Sequence, residues 1–165
     1  MKVSVAIVSD THAVLDTRIA DLIKDCDYAI HAGDICGENV LADMRPKTGK
    51  VVAVLGNNDL HIHGDSLPKR GEMDLPGGKL TVEHGHEHGA HKPDHDSLRE
   101  SHSGSKVVVY GHTHKMIQDK SATPWVINPG AAGRTRTRGG PSCLILNASA
   151  NQEWEIEEFR FPEED

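Results

Sequence analysis

No run of apolar residues in this sequence approaches the roughly 20 that a membrane-spanning helix needs, so no membrane association is expected. Cysteine is scarce: Cys26, Cys36 and Cys143 are scattered, odd in number and without CxxC spacing. That argues against a disulfide framework and a cysteine-based zinc site, and fits reduced thiols in a cytosolic protein. Positive charge is also short, with 18 Lys and Arg against 25 Asp and Glu and a formal net charge of -7. General binding of nucleic acids along a basic surface is therefore not expected. A small anionic substrate stays open, because bound cations reverse the local field of a site. Aromatic residues make up only 4%, which gives little reason to expect a large apolar docking patch.

What the chain has in excess is histidine, 12 copies, the commonest neutral metal ligand and a frequent acid–base group. With 36% apolar and 26% charged residues over 165 positions, the composition suits one folded domain, residues 1–165. The apolar N-terminal stretch ends at Ser9-Asp10 with no small-residue cleavage site after it. It reads as a buried strand rather than a signal peptide, and a cytoplasmic location is expected.

Short apolar, β-branched runs at residues 3–8, 28–31 and 51–55 predict buried strands, and helical spacing predicts helices at 16–25 and 38–44. This alternation suggests βαβ units and a largely parallel sheet. Strand candidates at 79–83, 107–110, 125–128, 143–147 and 154–159 have few helices between them, which suggests a second sheet packed on the first. Residues 84–104 are polar and histidine-rich and predict a surface loop with a short helix around 97–101.

Five polar clusters follow predicted strands: Asp10-Thr11-His12, Gly33-Asp34, Gly56-Asn57-Asn58-Asp59, His84-Gly85-His86 and Gly111-His112-Thr113-His114. Sites in open α/β sheets lie beyond the carboxyl ends of strands, where such clusters converge. In an extended segment, residues i and i+2 share a side, so Asp10 with His12, and His112 with His114, would point together. Mixed nitrogen and oxygen donors suit manganese, nickel, iron or zinc better than magnesium or calcium. Asp34 is the natural carboxylate to bridge two such ions, which lower the pKa of a shared water and stabilise phosphoryl charge. Singly, each cluster is equally well a turn or a set of exposed histidines. Five in order, each at a strand end, point to a site.

As an ordered set these motifs resemble the calcineurin-like metallophosphoesterase family, in particular its small single-domain bacterial and archaeal phosphodiesterase branch. The family pattern is Asp-x-His, Gly-Asp, Gly-Asn-His-Asp/Glu, Gly-His and Gly-His-x-His. The resemblance implies a four-layer α-β-β-α sandwich with two mixed β-sheets. It implies two divalent ions, manganese first, with nickel, iron or zinc as alternatives. Asp10, His12, Asp34 and His114 would hold one, and Asp34, Asn57, His84 and His112 the other. The implied activity is hydrolysis of a small phosphate ester, most of all a phosphodiester, by a hydroxide shared between the ions. Asp59 matches the family's acid that orients its neighbours, and His86 lies near enough to His84 in sequence to contact substrate.

The sequence departs from the pattern at Asn58, where many members have a histidine that positions phosphate or protonates the leaving group. An amide can donate to a phosphoryl oxygen but cannot deliver a proton near neutral pH, so esters with good leaving groups should be favoured. The same branch includes a eukaryotic scaffold of the retromer coat with little or no activity, so a metal-binding protein-interaction scaffold is the alternative. A histidine-rich metal buffer explains the histidines but not the aspartates at strand ends. His31 reads as a core histidine or a partner of the site. His61, His63, His88, His91, His95 and His102 read as solvated loop residues, some of them near enough to line a pocket mouth. Arg134, Arg136 and Arg138 could grip a substrate phosphate or an acidic partner, but read better as decoration of a solvated strand edge. A homo-dimer would be the commonest closed assembly.

Overall fold

The computed structural model describes residues 1–60 and 66–164. Among these residues, ten strands form two five-stranded sheets, one ordered β10-β9-β1-β2-β3 and the other β4-β5-β6-β8-β7. The first sheet contains β1 (Lys2–Val8), β2 (Tyr28–His31), β3 (Val51–Ala53), β9 (Ser142–Ser149) and β10 (Glu155–Arg160). The second contains β4 (Arg70–Leu75), β5 (Gly78–Glu83), β6 (Val107–Val109), β7 (Met116–Asp119) and β8 (Trp125–Pro129). Pairing is parallel for β1–β2–β3 and for β5–β6–β8, and antiparallel for the outer strands, so both sheets are mixed.

The central strands are β-branched and apolar on both faces because each face is covered. Val5, Ile7, Ile30, Val54, Val82 and Ile127 belong to the core shared by the two sheets. On the outer face of the first sheet, Ala6, Val8 and Ala29 pack with Ile19 and Ile23 of α1 (Thr17–Lys24) and Val40 of α2 (Val40–Asp43). On the outer face of the second, Val108, Tyr110 and Val126 pack with Leu98 of α3 (His95–Ser101). The result is the expected four-layer α-β-β-α sandwich. Asp16 caps α1 by accepting from Arg18 N, and Asp94 caps α3 by accepting from Asp96 N and Ser97 N.

Two strands lie outside the sequence-based expectation. Both β4 and β7 are sheet edges, and neither carries the continuous apolar run that announces a central strand. β4 alternates Arg70, Glu72 and Asp74 with Gly71, Met73 and Leu75, and β7 buries none of its residues completely.

The β7 edge is tied to α3 through Asp119. Its carboxylate accepts from Ser121 Oγ at 2.6 Å, from His95 Nδ1 at 2.6 Å and from Arg99 Nη2 at 3.0 Å. Hydrogen bonds from Ser121 and His95, outweighing partial burial, hold this carboxyl well below its ordinary value of 3.8. A folded-state pKa below the unfolded one stabilises the fold above the unfolded value. That stability is lost as pH falls through the folded value. Asp119→Asn is therefore expected to cost about 1.5–3 kcal/mol at pH 7. It should also flatten the decline in stability on the acid side. Urea denaturation of both proteins between pH 3 and 7 checks this, and identical acid slopes would count against it.

Candidate metal centre

All five polar clusters leave the carboxyl ends of parallel strands at the same end of the sandwich: β1, β2 and β3 from one sheet, β5 and β6 from the other. Their loops are laced together by backbone hydrogen bonds. Asp10 N donates to Gly33 O, His12 N to Asp34 O, and Gly111 N to His84 O. Asn128, at the end of β8, donates from Nδ2 to Gly111 O at 2.9 Å and to Thr113 Oγ1 at 3.1 Å.

The expectation that Asp10 with His12, and His112 with His114, share a side through extended backbone is corrected. All four have positive φ (53°, 44°, 71° and 64°), as do Asp34 and Cys36. The left-handed backbone curls each loop inward. Such conformations cost about 1–3 kcal/mol each and persist where surrounding structure over-determines them, commonly at functional sites. Two glycines make the curl possible by close approach. A Cβ on Gly56 would lie 2.1 Å from Asp34 N, and one on Gly111 would lie 2.0 Å from Ser9 Oγ.

Seven candidate ligands converge. His12 Nε2 and His114 Nε2 are 3.2 Å apart, and His114 Nε2 is 3.5 Å from Asp10 Oδ1. Asp34 Oδ2 lies between two groups of donors, 3.6 Å from His12 Nε2 and 3.5 Å from His84 Nε2. His112 Nδ1 is 3.3 Å from His84 Nε2 and 3.3 Å from Asn57 Oδ1. Donor separations of this size match the edges of a coordination shell with bonds of ~2.1 Å.

Hydrogen bonds at the far side of each ring set the tautomers. His84 Nδ1–H donates to Ala32 O at 2.8 Å, His114 Nδ1–H to Arg136 O at 3.1 Å, and His112 Nε2–H to Ala90 O at 2.5 Å. The opposite nitrogen of each ring then aims a lone pair into the centre. Asp10 Oδ2 accepts from Ser9 Oγ at 2.6 Å and His112 N at 3.0 Å, whereas its buried Oδ1 has no hydrogen-bond partner. Inward lone pairs and an orphaned carboxylate oxygen repel one another unless a cation lies among them, so the residues fit divalent metal.

The electrostatics agree. Burial raises the Asp10 carboxyl to about 6, against the pull of His84 and Ser9. Burial of Asp34 is outweighed by its neighbour His84 and by two hydrogen bonds from Asn58, which hold it well below its ordinary range. His84 is fully buried, yet Asp34 and Asp10 push its pKa up despite that burial. Burial lowers the pKa of His12 and His114, with nearby Arg136 acting in the same direction, which favours the neutral ring that ligates metal.

The other expected residues fall as follows. Asp59 is fully buried and accepts from Cys36 N at 2.9 Å and Gly56 N at 2.8 Å, joining two of the site loops. Asn58 does not reach outward: its backbone N and its Nδ2 donate to the two oxygens of Asp34, at 2.9 and 2.8 Å. His86 stands beside the centre, its ring 5.4 Å from that of His84 and 6.2 Å from that of His112. His31 is a buried partner: Gly33 N donates to its Nδ1, leaving Nε2–H for Thr11 Oγ1 at 3.0 Å.

Several loop histidines depart from the solvated reading. His88 and His102 flank the buried carboxylate of Glu83, at 3.0 and 2.5 Å, and His95 bridges Asp119 and Tyr110. His61 and His63 lie outside the described residues. Arg134, Arg136 and Arg138 belong to a loop rather than a strand edge. Arg160 Nη1 organises that loop by donating to the carbonyls of Thr137, Arg138 and Gly140. Ser9 and Asn128 are contributors to the site that the motif reading did not assign roles.

Comparison with known proteins accords with this geometry. Residues 1–151 match the model of the calcineurin-like phosphoesterase superfamily domain. The chain is 26% identical over 174 residues to a phosphodiesterase of Methanocaldococcus jannaschii, covering 92% of this chain and 97% of that one. It is 25% identical over 149 residues to a probable metallophosphoesterase of Methanothermobacter thermautotrophicus, covering 86% and 84%. Among solved structures, a single mutant of Vps29 from Entamoeba histolytica has the same fold, with a TM-score of 0.77 at 19% identity over 96% of this chain and 99% of that one. An archaeal phosphodiesterase gives a TM-score of 0.70 at 22% identity over 94% and 99%. A family model spanning nearly the whole chain, on a sandwich whose strand ends gather Asp, His and Asn donors, leads to one conclusion: this chain belongs to the calcineurin-like phosphoesterase superfamily.

Proposed function

We propose that the chain, acting as one domain, is a metal-dependent phosphodiesterase with two divalent ions. Asp10, His12, Asp34 and His114 hold one ion, and Asp34, Asn57, His84 and His112 hold the other. The observation that carries this reading is the meeting of two donor groups at Asp34 Oδ2, 3.6 Å from His12 Nε2 and 3.5 Å from His84 Nε2 and nearer to both than Asp10 Oδ1, which is 3.9 Å from each. Divalent ions in such a site act as Lewis acids on phosphoryl oxygens and activate water near neutral pH. The mixed nitrogen and oxygen donors suit manganese, nickel, iron or zinc, and the family resemblance puts manganese first.

The protein's own contribution is preorganisation. Ala32, Ala90 and Arg136 carbonyls hold the three imidazoles in one tautomer each, Ser9 turns Asp10, and Asp59 locks the loops that carry Asp34 and Asn57. Asn58 fixes the orientation of Asp34, and His86 is the group best placed to meet the substrate. With an amide at position 58, esters with good leaving groups are favoured.

The test is hydrolysis of bis-p-nitrophenyl phosphate and p-nitrophenyl phosphate by chelated protein and by protein reloaded with manganese, nickel or zinc. Turnover of the diester that vanishes with chelator and returns with metal is expected. Protein that holds two ions by elemental analysis yet hydrolyses neither ester would favour the scaffold reading, for which the shared fold with Vps29 is the specific support.

A further inference from the structure

A cavity of about 390 Å³ opens beside the metal centre, and its lining includes His91, Lys92, Lys115 and Arg138. Three elements bind it to the centre. Thr113, in its wall, separates His112 from His114. His91 follows Ala90, whose carbonyl accepts from His112, and Arg138 lies two residues beyond Arg136, whose carbonyl accepts from His114. The remaining wall is apolar or fixed: Met116, Ile117, Tyr110 and His95.

The cations of this wall are not neutralised by ion pairs, a property that other described cations such as Arg45, Lys47 and Lys50 share; what sets these apart is that three of them line one cavity. Arg18, Arg70 and Arg99 are each engaged by a carboxylate, whereas no carboxylate among the described residues pairs with Lys92, Lys115 or Arg138. In a chain of net charge -7, three unpaired cations around one cavity form a local field that attracts anions. Two other wall residues are held in place. Arg99 and His95 both grip Asp119, and the far nitrogen of His95 meets Tyr110 Oη at 2.8 Å. The volume exceeds what a lone phosphate needs and suits a sugar-sized group with an anion attached.

The geometry points to a substrate subsite. This cavity binds a second phosphate, carried on one of the groups esterified to the scissile phosphate, with Met116 and Ile117 against the apolar part of that group. The inference rests on the phosphodiesterase reading above, and narrows its substrate class to diesters with a further phosphate.

The test compares two dinucleotides with the same scissile linkage, adenylyl-adenosine and its 5′-phosphorylated form, using the metal-loaded full chain. The phosphorylated dinucleotide should have a kcat/KM at least about tenfold higher, the worth of one charge-assisted hydrogen bond. In the double variant Lys115→Gln, Arg138→Gln that ratio should fall to near one. A ratio near one in the wild type, or a preference that survives in the variant, overturns the subsite. If neither dinucleotide is turned over, their poor leaving groups being the obstacle, the decision passes to binding; if bis-p-nitrophenyl phosphate is not turned over either, it is the phosphodiesterase reading that fails. The subsite is then decided by calorimetric titration with adenosine 3′,5′-bisphosphate and adenosine 5′-monophosphate. About tenfold tighter binding of the bisphosphate, lost in the double variant, sustains it, and equal affinities overturn it.

Discussion

Asp34→Asn is expected to leave the fold intact and remove metal-dependent diester hydrolysis, with turnover falling by well over 100-fold. The size follows from position. Changing a residue that merely supports a metal ligand costs about 10–100-fold in affinity or activity, and Asp34 is proposed to touch both ions itself. The substitution is isosteric but reverses two requirements. It removes the negative charge on which His84 depends, and it replaces one acceptor by a donor where Asn58 already presents two donors to the carboxylate. The backbone carbonyl of residue 34 still accepts from His12 N, so the loop has no reason to unfold. Elemental analysis should show loss of at least one ion per chain, and thermal denaturation without metal should shift by only a few degrees. A variant that keeps two ions and normal turnover would sink the shared-carboxylate assignment.

Gly56→Ala should do comparable damage with no change of chemistry. The residue lies outside the left-handed region that only glycine favours, so alanine's backbone preference is not the obstacle; the obstacle is space. The added methyl would lie 2.1 Å from Asp34 N and 2.2 Å from Asp34 Oδ1, and backbone cannot yield as a flexible side chain would. Overpacking of this kind costs about 1–3 kcal/mol of stability. A displacement of roughly 1 Å at a reacting centre costs about 100-fold in rate. Gly104→Ala serves as the control, because a Cβ there meets nothing within 4 Å. Metal affinity by competition with a chelator, read beside melting temperature, separates the two effects. Wild-type metal affinity in Gly56→Ala would show that the close approach of the two loops is not needed.

How much of this was legible beforehand depended on the range of the interaction. The buried runs at β1, β2 and β6 announce themselves because a strand covered on both faces must be apolar at consecutive positions. The edges β4 and β7 do not, since half of each is solvated and pairing with one neighbour demands no side-chain pattern. The loop histidines follow the same rule. A polar stretch with a proline reads as solvent-facing, yet His88 and His102 are drawn in by Glu83 and His95 by Asp119, through contacts that no local periodicity encodes.

The centre divides along the same line. Taken alone, the sequence determined that five strand ends carry side chains of metal-ligand type, because side-chain type and the end of an apolar run are both local properties. Tertiary structure decided how those side chains are used. The left-handed turns that aim Asp10, His12, His112 and His114 inward, the carbonyls of Ala32, Ala90 and Arg136 that choose each tautomer, and the diversion of Asn58 onto Asp34 all join segments far apart in the chain. The physical reason is that a hydrogen bond is directional and short. Its partner is settled only when two sheets have packed and brought separate loops within 3 Å, which residue order alone does not specify.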